Sequence, residues 1–200
     1  TYVAQVGSTK YETLQEAINA TVTGDTVTLL ADVDLGSSVS FYNKKDTSVC
    51  NLTFDLNGHT ITSAIGDNGT VLAAREGLVI KNGAIVNTSE STNKKTSAIC
   101  VTSKGTTTIE NVTVTSKVSG VYICQLTSTG AEVVNVESGT FISGEYGVYI
   151  ANPKGSTTKS PVETLNINGG TINGTHTGVY AKGAESGSRN AVVNVNITAG

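Results

Sequence analysis

The tetrapeptide "GVYI" stands at Gly120–Ile123, returns at Gly147–Ile150 and comes back as "GVYA" at Gly178–Ala181, in a chain that is only 5% aromatic. Weaker versions precede it, "TVLA" at Thr70–Ala73 and "SAIC" at Ser97–Cys100. A second motif alternates with the first and sets two apolar residues five apart across a Gly/Asn-rich turn. Its copies are Leu56 and Ile61 in "FDLNGHTI", Ile80 and Ile85 in "VIKNGAI", and Ile109 and Val114 in "TIENVTV". Val136 and Phe141, then Ile167 and Ile172, continue it, and Val195 begins one more. One motif of each kind makes a unit of roughly 23 to 31 residues, the length of a solenoid coil but too irregular for leucine-rich or propeller arrays. Apolar residues alternate over three or four positions at a time, as strands with one buried face require, and no 3.6-residue period follows Ala20. Each unit is predicted to hold three short strands and three corners.

Composition agrees. The 200 residues are rich in Thr, Ser, Asn, Gly and Val, lack Trp and Met, and are 14% charged, which describes a strand-and-turn protein with little helix. A net charge of -3 with scattered basic residues gives no reason to expect a nucleic-acid partner. No apolar run is long enough to cross a bilayer, so no membrane insertion is expected. The chain opens on "TYVAQVGSTKYETLQEAI", so any export signal is expected to have been removed already or to lie outside these residues. Cys50, Cys100 and Cys124 lack zinc-type spacing and are expected to be free, mostly buried thiols. Seven N-x-S/T sequons, at Asn19, Asn51, Asn68, Asn87, Asn111, Asn173 and Asn196, are what a chain rich in Asn and Thr generates by composition.

These residues resemble the right-handed parallel β-helix of the pectate-lyase-like superfamily, in particular the β-helical regions of bacterial cell-surface, adhesin-like proteins. The opening, "KYETLQEAINATVTGDTVTLLADVDL", is similar to the N-terminal cap and first coil that such proteins carry. The resemblance implies an all-β, single-stranded right-handed solenoid with three strands per coil and an N-terminal capping helix, secreted or attached to the bacterial cell wall. It implies fold and location, not an activity. Residues 1–25 would form the cap, and 26–200 about six coils in the same domain. Thr9-x-x-Glu12 reads as a capping box for a helix over about 10–20, with Tyr11, Leu14, Ala17 and Ile18 on its apolar side. Lying across the first coil, that helix would shield open strand edges. "VVNVNITAG" stops just after a coil begins, so the C-terminus is expected to be truncated or uncapped, with closure supplied from beyond Gly200.

Parallel stacking sets equivalent residues of neighbouring coils about 4.8 Å apart, so the alignment works as a ruler. Val121, Val148 and Val179 suit the interior, which turns Tyr122, Tyr149 and Tyr180 outward as a ladder, preceded by Leu72 and Ile99. Leu56, Ile80, Ile109, Val136 and Ile167 are expected in one inner stack. Further rows are Asn135, Asn166 and Asn194, then Asn168 and Asn196, and Thr113, Thr140 and Thr171. Two readings of the tyrosines stand side by side: stacked rings that hold the coils in register, or a flat strip for successive sugar rings. Loops at 152–161 and 182–190 follow two of the tyrosine strands and belong to the same corner.

The superfamily includes polysaccharide lyases and hydrolases, which use aspartates holding calcium beside an arginine, or clustered carboxylates. All six aspartates here precede residue 68, and Arg75 and Arg189 lie about four coils, roughly 19 Å, apart. His59 and His176 are separated by a similar number of coils, so no metal site or cofactor is expected. One carboxylate pair meets the spacing: Glu110 and Glu137 share an outward column on adjacent coils, with Lys81 one coil earlier. The expectation is a non-catalytic surface domain for adhesion, glycan recognition or display, partnered by a host or environmental glycan or surface protein. Tyr122, Tyr149 and Tyr180 are its candidate ligand residues. The alternative is a polysaccharide-active lyase or glycoside hydrolase using Glu110, Glu137 and Lys81.

Overall fold

The computed structural model describes residues 1–75, 77–102, 105–124, 131–151, 162–182 and 192–199. It opens with β1 (Ala4–Val6), β2 (Thr9–Tyr11), the helix α1 (Leu14–Asn19), β3 (Thr26–Leu29), β4 (Val33–Asp34) and β5 (Val39–Phe41). There follow β6 (Thr53–Asp55), β7 (Thr60–Ser63), β8 (Thr70–Ala74), β9 (Val79–Asn87), β10 (Ser97–Val101) and β11 (Gly105–Ser116). The remainder comprises β12 (Ser119–Ile123), β13 (Ala131–Val136), β14 (Gly139–Ser143), β15 (Tyr146–Ala151), β16 (Val162–Ile167), β17 (Thr171–Gly174), β18 (Thr177–Lys182) and β19 (Val192–Ile197). The chain is a nearly all-β parallel solenoid of about five turns. β5, β8, β10, β12, β15 and β18 stack into one six-stranded parallel sheet. The other strands form a thirteen-stranded sheet, parallel except where β1 pairs antiparallel with β2 and β3.

Alternation along each strand builds the core. In one inner column Phe54, Ile80, Ile109, Val136, Ile167 and Ile197 lie in register. In a second, Val33, Ile61, Ile85, Val114, Phe141 and Ile172 do the same. A third, on the six-stranded sheet, runs Val39, Leu72, Ile99, Val121, Val148 and Val179. Burying one apolar residue per coil in each column supplies the hydrophobic driving force, Ile197 at 66% exposure excepted, while coil-to-coil hydrogen bonds satisfy the backbone.

Three expected alignments are corrected. Leu56 is fully buried, but Phe54 stands opposite Ile80. The turn from Asp55 to Thr60 is two residues longer than its counterpart from Lys81 to Ala84, which displaces the five-residue spacing. Leu72 and Ile99 stand in the valine column, and the tyrosines follow Ala73 and Cys100 instead. A one-residue slip in a strand exchanges faces, so this correction changes which side chains line the core. Asn166 is flanked by Asn135 and Asn196, whereas Asn194 stands opposite Thr164 and Asn168 bonds Glu137. The row Thr113, Thr140, Thr171 is in register as expected.

Local chemistry fixes the corners and the motif glycine. Where the larger sheet bends, Asn57, Asn82 and Asn111 take positive φ, a conformation that asparagine tolerates better than most residues. Asn111 donates its side-chain amide to Asn82 at 3.2 Å, and Asn82 donates to Asp55 at 3.2 Å. Gly147 shows why "GVYI" begins with glycine: a Cβ there would lie 2.3 Å from Ile172 and 2.7 Å from the Gly178 carbonyl, so the motif needs glycine for close packing.

The helix begins later than expected. Thr9 and Tyr11 belong to β2, and the capping box is formed by Thr13 and Glu16, whose side chains satisfy each other's backbone N–H groups. Leu14, Ala17 and Ile18 are buried as the apolar spacing implied.

Candidate functional site

Each valine of "GVYI" turns inward and its tyrosine turns to the opposite face. Tyr122, Tyr149 and Tyr180 stand in register on β12, β15 and β18. Their ring centroids are 5.8 Å apart between Tyr122 and Tyr149, and 5.2 Å between Tyr149 and Tyr180, the latter nearly parallel at 6°. Off the interior does not mean exposed, however. Tyr122 and Tyr149 are 5% and 7% exposed and pack with Cys100, Val118, Cys124, Tyr146 and Ala151 into a second apolar cluster outside the main core. Tyr180 is half-buried at its margin. The open three-ring strip is therefore corrected to one accessible ring backed by covered ones.

Tyr146, which the tetrapeptide comparison passed over, ties the cluster together. Its ring lies 5.2 Å from Tyr149, 5.4 Å from Tyr180 and 5.6 Å from His176, all tilted. The exposed Lys94 ammonium sits 5.7 Å from the Tyr146 centroid, and its hydrogen bond to that phenol holds the lysine pKa above its usual value. Burial pushes the Tyr149 phenol up, and burial together with the Cys124 thiol does the same for Tyr122. These phenols stay neutral and work as packing groups. The half-buried Tyr180, exposed His176 and exposed Lys94 make an aromatic edge with hydrogen-bond donors, suited to the face of a sugar ring.

Lys81, Glu110 and Glu137 fall in one outward column, as the ruler required. Lys81 is opposite Glu110, and the Glu137 amide donates to the Ile109 carbonyl, continuing the register by one residue. The sequence comparison missed Asp55 below Lys81: its carboxylate lies 3.6 Å from the ammonium, so the lysine pairs with Asp55. Glu110 and Glu137 are exposed, and Glu137 accepts from Asn168 at 3.0 Å. Column and spacing hold; a desolvated carboxylate, which acid–base chemistry at such a pair would need, is not found in either position.

The remaining candidates are dispersed. His59 contacts Asp32 at 3.2 Å, and the Thr60 amide, then His59, lowers the Asp32 pKa. Arg75 lies over the Tyr42 ring at 4.9 Å. Arg189 and the loops at 152–161 and 183–190 lie outside the described residues. Cys100 and Cys124 are buried and free as expected, while Cys50 is only partly covered. Among the described residues no group of three or more His, Cys, Asp or Glu side chains is placed to hold a metal ion.

Two groups missed from the sequence are Glu132 and Glu163, both fully buried. Their signal was available: in "AEVVNV" and "VETLNI" each glutamate stands two positions before a core residue, so strand alternation puts it on the core side. Comparison with protein-family models, with curated proteins and with solved structures finds no match.

Proposed function

We propose that this chain is a non-catalytic domain of a secreted or wall-attached bacterial surface protein, serving adhesion, glycan recognition or display. Its fold is of the right-handed, pectate-lyase-like kind with three strands to a coil, the hand that twisted parallel strands favour when they cross over within one sheet. The N-terminal helix acts as the cap; burial of Leu14, Ala17 and Ile18 in the main core supports this role. The observation that carries the functional reading is the outer surface. Its polar side chains bond from coil to coil, as in Asn196 to Asn166 and Asn166 to Asn135, each 2.8 Å. An exterior committed to bracing successive coils is that of a stiff rod, and Tyr180 with His176 and Lys94 gives the rod an edge for a glycan.

The test is a glycan array probed with the parent chain and with Tyr180→Ala. Retention by the parent and its loss in the variant is the expected result; no retention by the parent would leave display without recognition. The in-register Glu110 and Glu137 favour the second reading, a polysaccharide lyase or hydrolase. Turnover of an acidic polysaccharide that disappears in Glu110→Gln or Glu137→Gln would establish that reading and overturn ours.

A further inference from the structure

Glu132 on β13 and Glu163 on β16 stand opposite each other in the parallel register, which puts their backbones about 4.8 Å apart. Both side chains are 0% exposed and share their strand faces with Val134 and Leu165 of the main core. The next positions along the column are Gly105 on β11 and Val193 on β19, neither of which can neutralise a carboxylate. Among the described residues, neither oxygen of Glu132 has a hydrogen-bond partner. A buried carboxylate with no donor and a second carboxyl beside it is expensive to ionise, and holding a proton removes that cost.

Among the described residues, no cation contributes to the shift at Glu132. Burial, and next Glu163, act on Glu132, and Cys100 of β10 and Cys124 beyond β12 interact with it as neutral thiols. Arg75 acts on Cys100 and Lys95 on Cys124, but neither cation is among the groups that shift Glu132. Burial raises both thiols.

We propose that the Glu132–Glu163 pair is a proton-holding element built into the solenoid: Glu132 remains a carboxylic acid in the folded chain at neutral pH, and its enforced ionisation loosens the coils around β13 and β16. The chain is therefore tightest in mild acid and weakens toward alkaline pH. This holds whatever the outer face binds.

The direction follows from linkage. Burial, and next Glu163, push the Glu132 carboxyl up to about 9 from an ordinary 4.5. Between those values the folded chain binds a proton that the unfolded chain releases, so stability is fully present below about 4.5 and is lost as pH rises toward 9. The folded-to-unfolded ratio should fall by up to about tenfold per pH unit in that window. Asp32 and Asp46, both lowered below 3.8, act in the opposite sense but only under more acid conditions. Cys100 and Tyr122, raised above 9.0 and 10.0, act in the same sense but only above the window.

The experiment is urea unfolding of the whole chain at pH 5, 6, 7 and 8, followed by near-ultraviolet tyrosine dichroism. The parent midpoint should fall steadily with pH. Glu132→Gln should flatten the profile, Glu163→Gln should shift its upper end to lower pH, and the exposed control Glu12→Gln should retain the parent profile. Infrared spectroscopy of the folded parent at pH 7 gives a readout that needs no variant: a protonated carboxyl band should be present and should disappear on unfolding. A parent midpoint that is flat or rises from pH 5 to 8, or the absence of that band, overturns the proposal.

Discussion

Glu132 and Glu137 lie five residues apart on one strand and its continuation, and they end on opposite sides of the wall. Glu137 is exposed and accepts a hydrogen bond from Asn168; Glu132 is sealed against the core, with no donor among the described residues. Each has a second glutamate opposite it on a neighbouring coil, Glu110 in one case and Glu163 in the other. Sequence spacing alone makes the pairs equivalent, and the parity of the spacing makes them different. On the outer wall water and neighbouring amides screen the charges; on the inner wall no described residue donates to Glu132, and protonation relieves it. The same division separates valine from tyrosine in "GVYI", although the tyrosines find a second apolar cluster where the glutamates find water.

The comparison can be broken most severely from the inside. Phe141 is fully buried in the inner column between Val114 and Ile172. Phe141→Ala should cost the upper part of the range of about 3 to 5 kcal/mol seen for buried aromatics, measured by urea unfolding. Retention of parent stability would mean that the interior is not close-packed. The outer tyrosine cluster comes next. Tyr149→Ala removes the ring stacked between Tyr122 and Tyr180, and because that ring is covered the cost should be about 3 kcal/mol, well above the range of about 0.5 to 1.5 for an aromatic pair alone. A cost under about 1 kcal/mol would instead mark an open strip, where the pair contribution stands alone. The smallest effect is expected at the outer glutamate: Glu137→Gln keeps an acceptor for Asn168 and should change stability by less than about 0.5 kcal/mol at every pH from 5 to 8. A change as large as that of Glu132→Gln would erase the distinction between the two walls.

Much of this arrangement was legible before the structure. Ile80, Ile109, Val136 and Ile167 align because one branched residue per coil recurs in a strand context, and the Thr113, Thr140, Thr171 row aligns for the same reason. The errors fell where coil length changes. Two extra residues in the turn before Thr60 move the first inner position from Leu56 to Phe54, and the "TVLA" and "SAIC" motifs sit one residue out of step with "GVYI". Motif matching aligns letters, whereas the ladder aligns hydrogen bonds; the two agree only while the turns keep one length.

Residue periodicity by itself determined the parallel all-β solenoid, the inward direction of the valines, the outward direction of the tyrosines and the column of Lys81, Glu110 and Glu137. Those features depend on alternation and coil spacing, both written in the order of residues along the chain. Only the tertiary structure decided what covers each face. Whether Tyr149 meets water or the rings of Tyr122 and Tyr180, whether Lys81 meets Glu110 or Asp55, and whether Glu132 has a donor depend on segments distant in sequence that fold against the wall. Burial sets the electrostatic cost of each polar group, and burial is a property of neighbours in space, which the local order of residues does not contain.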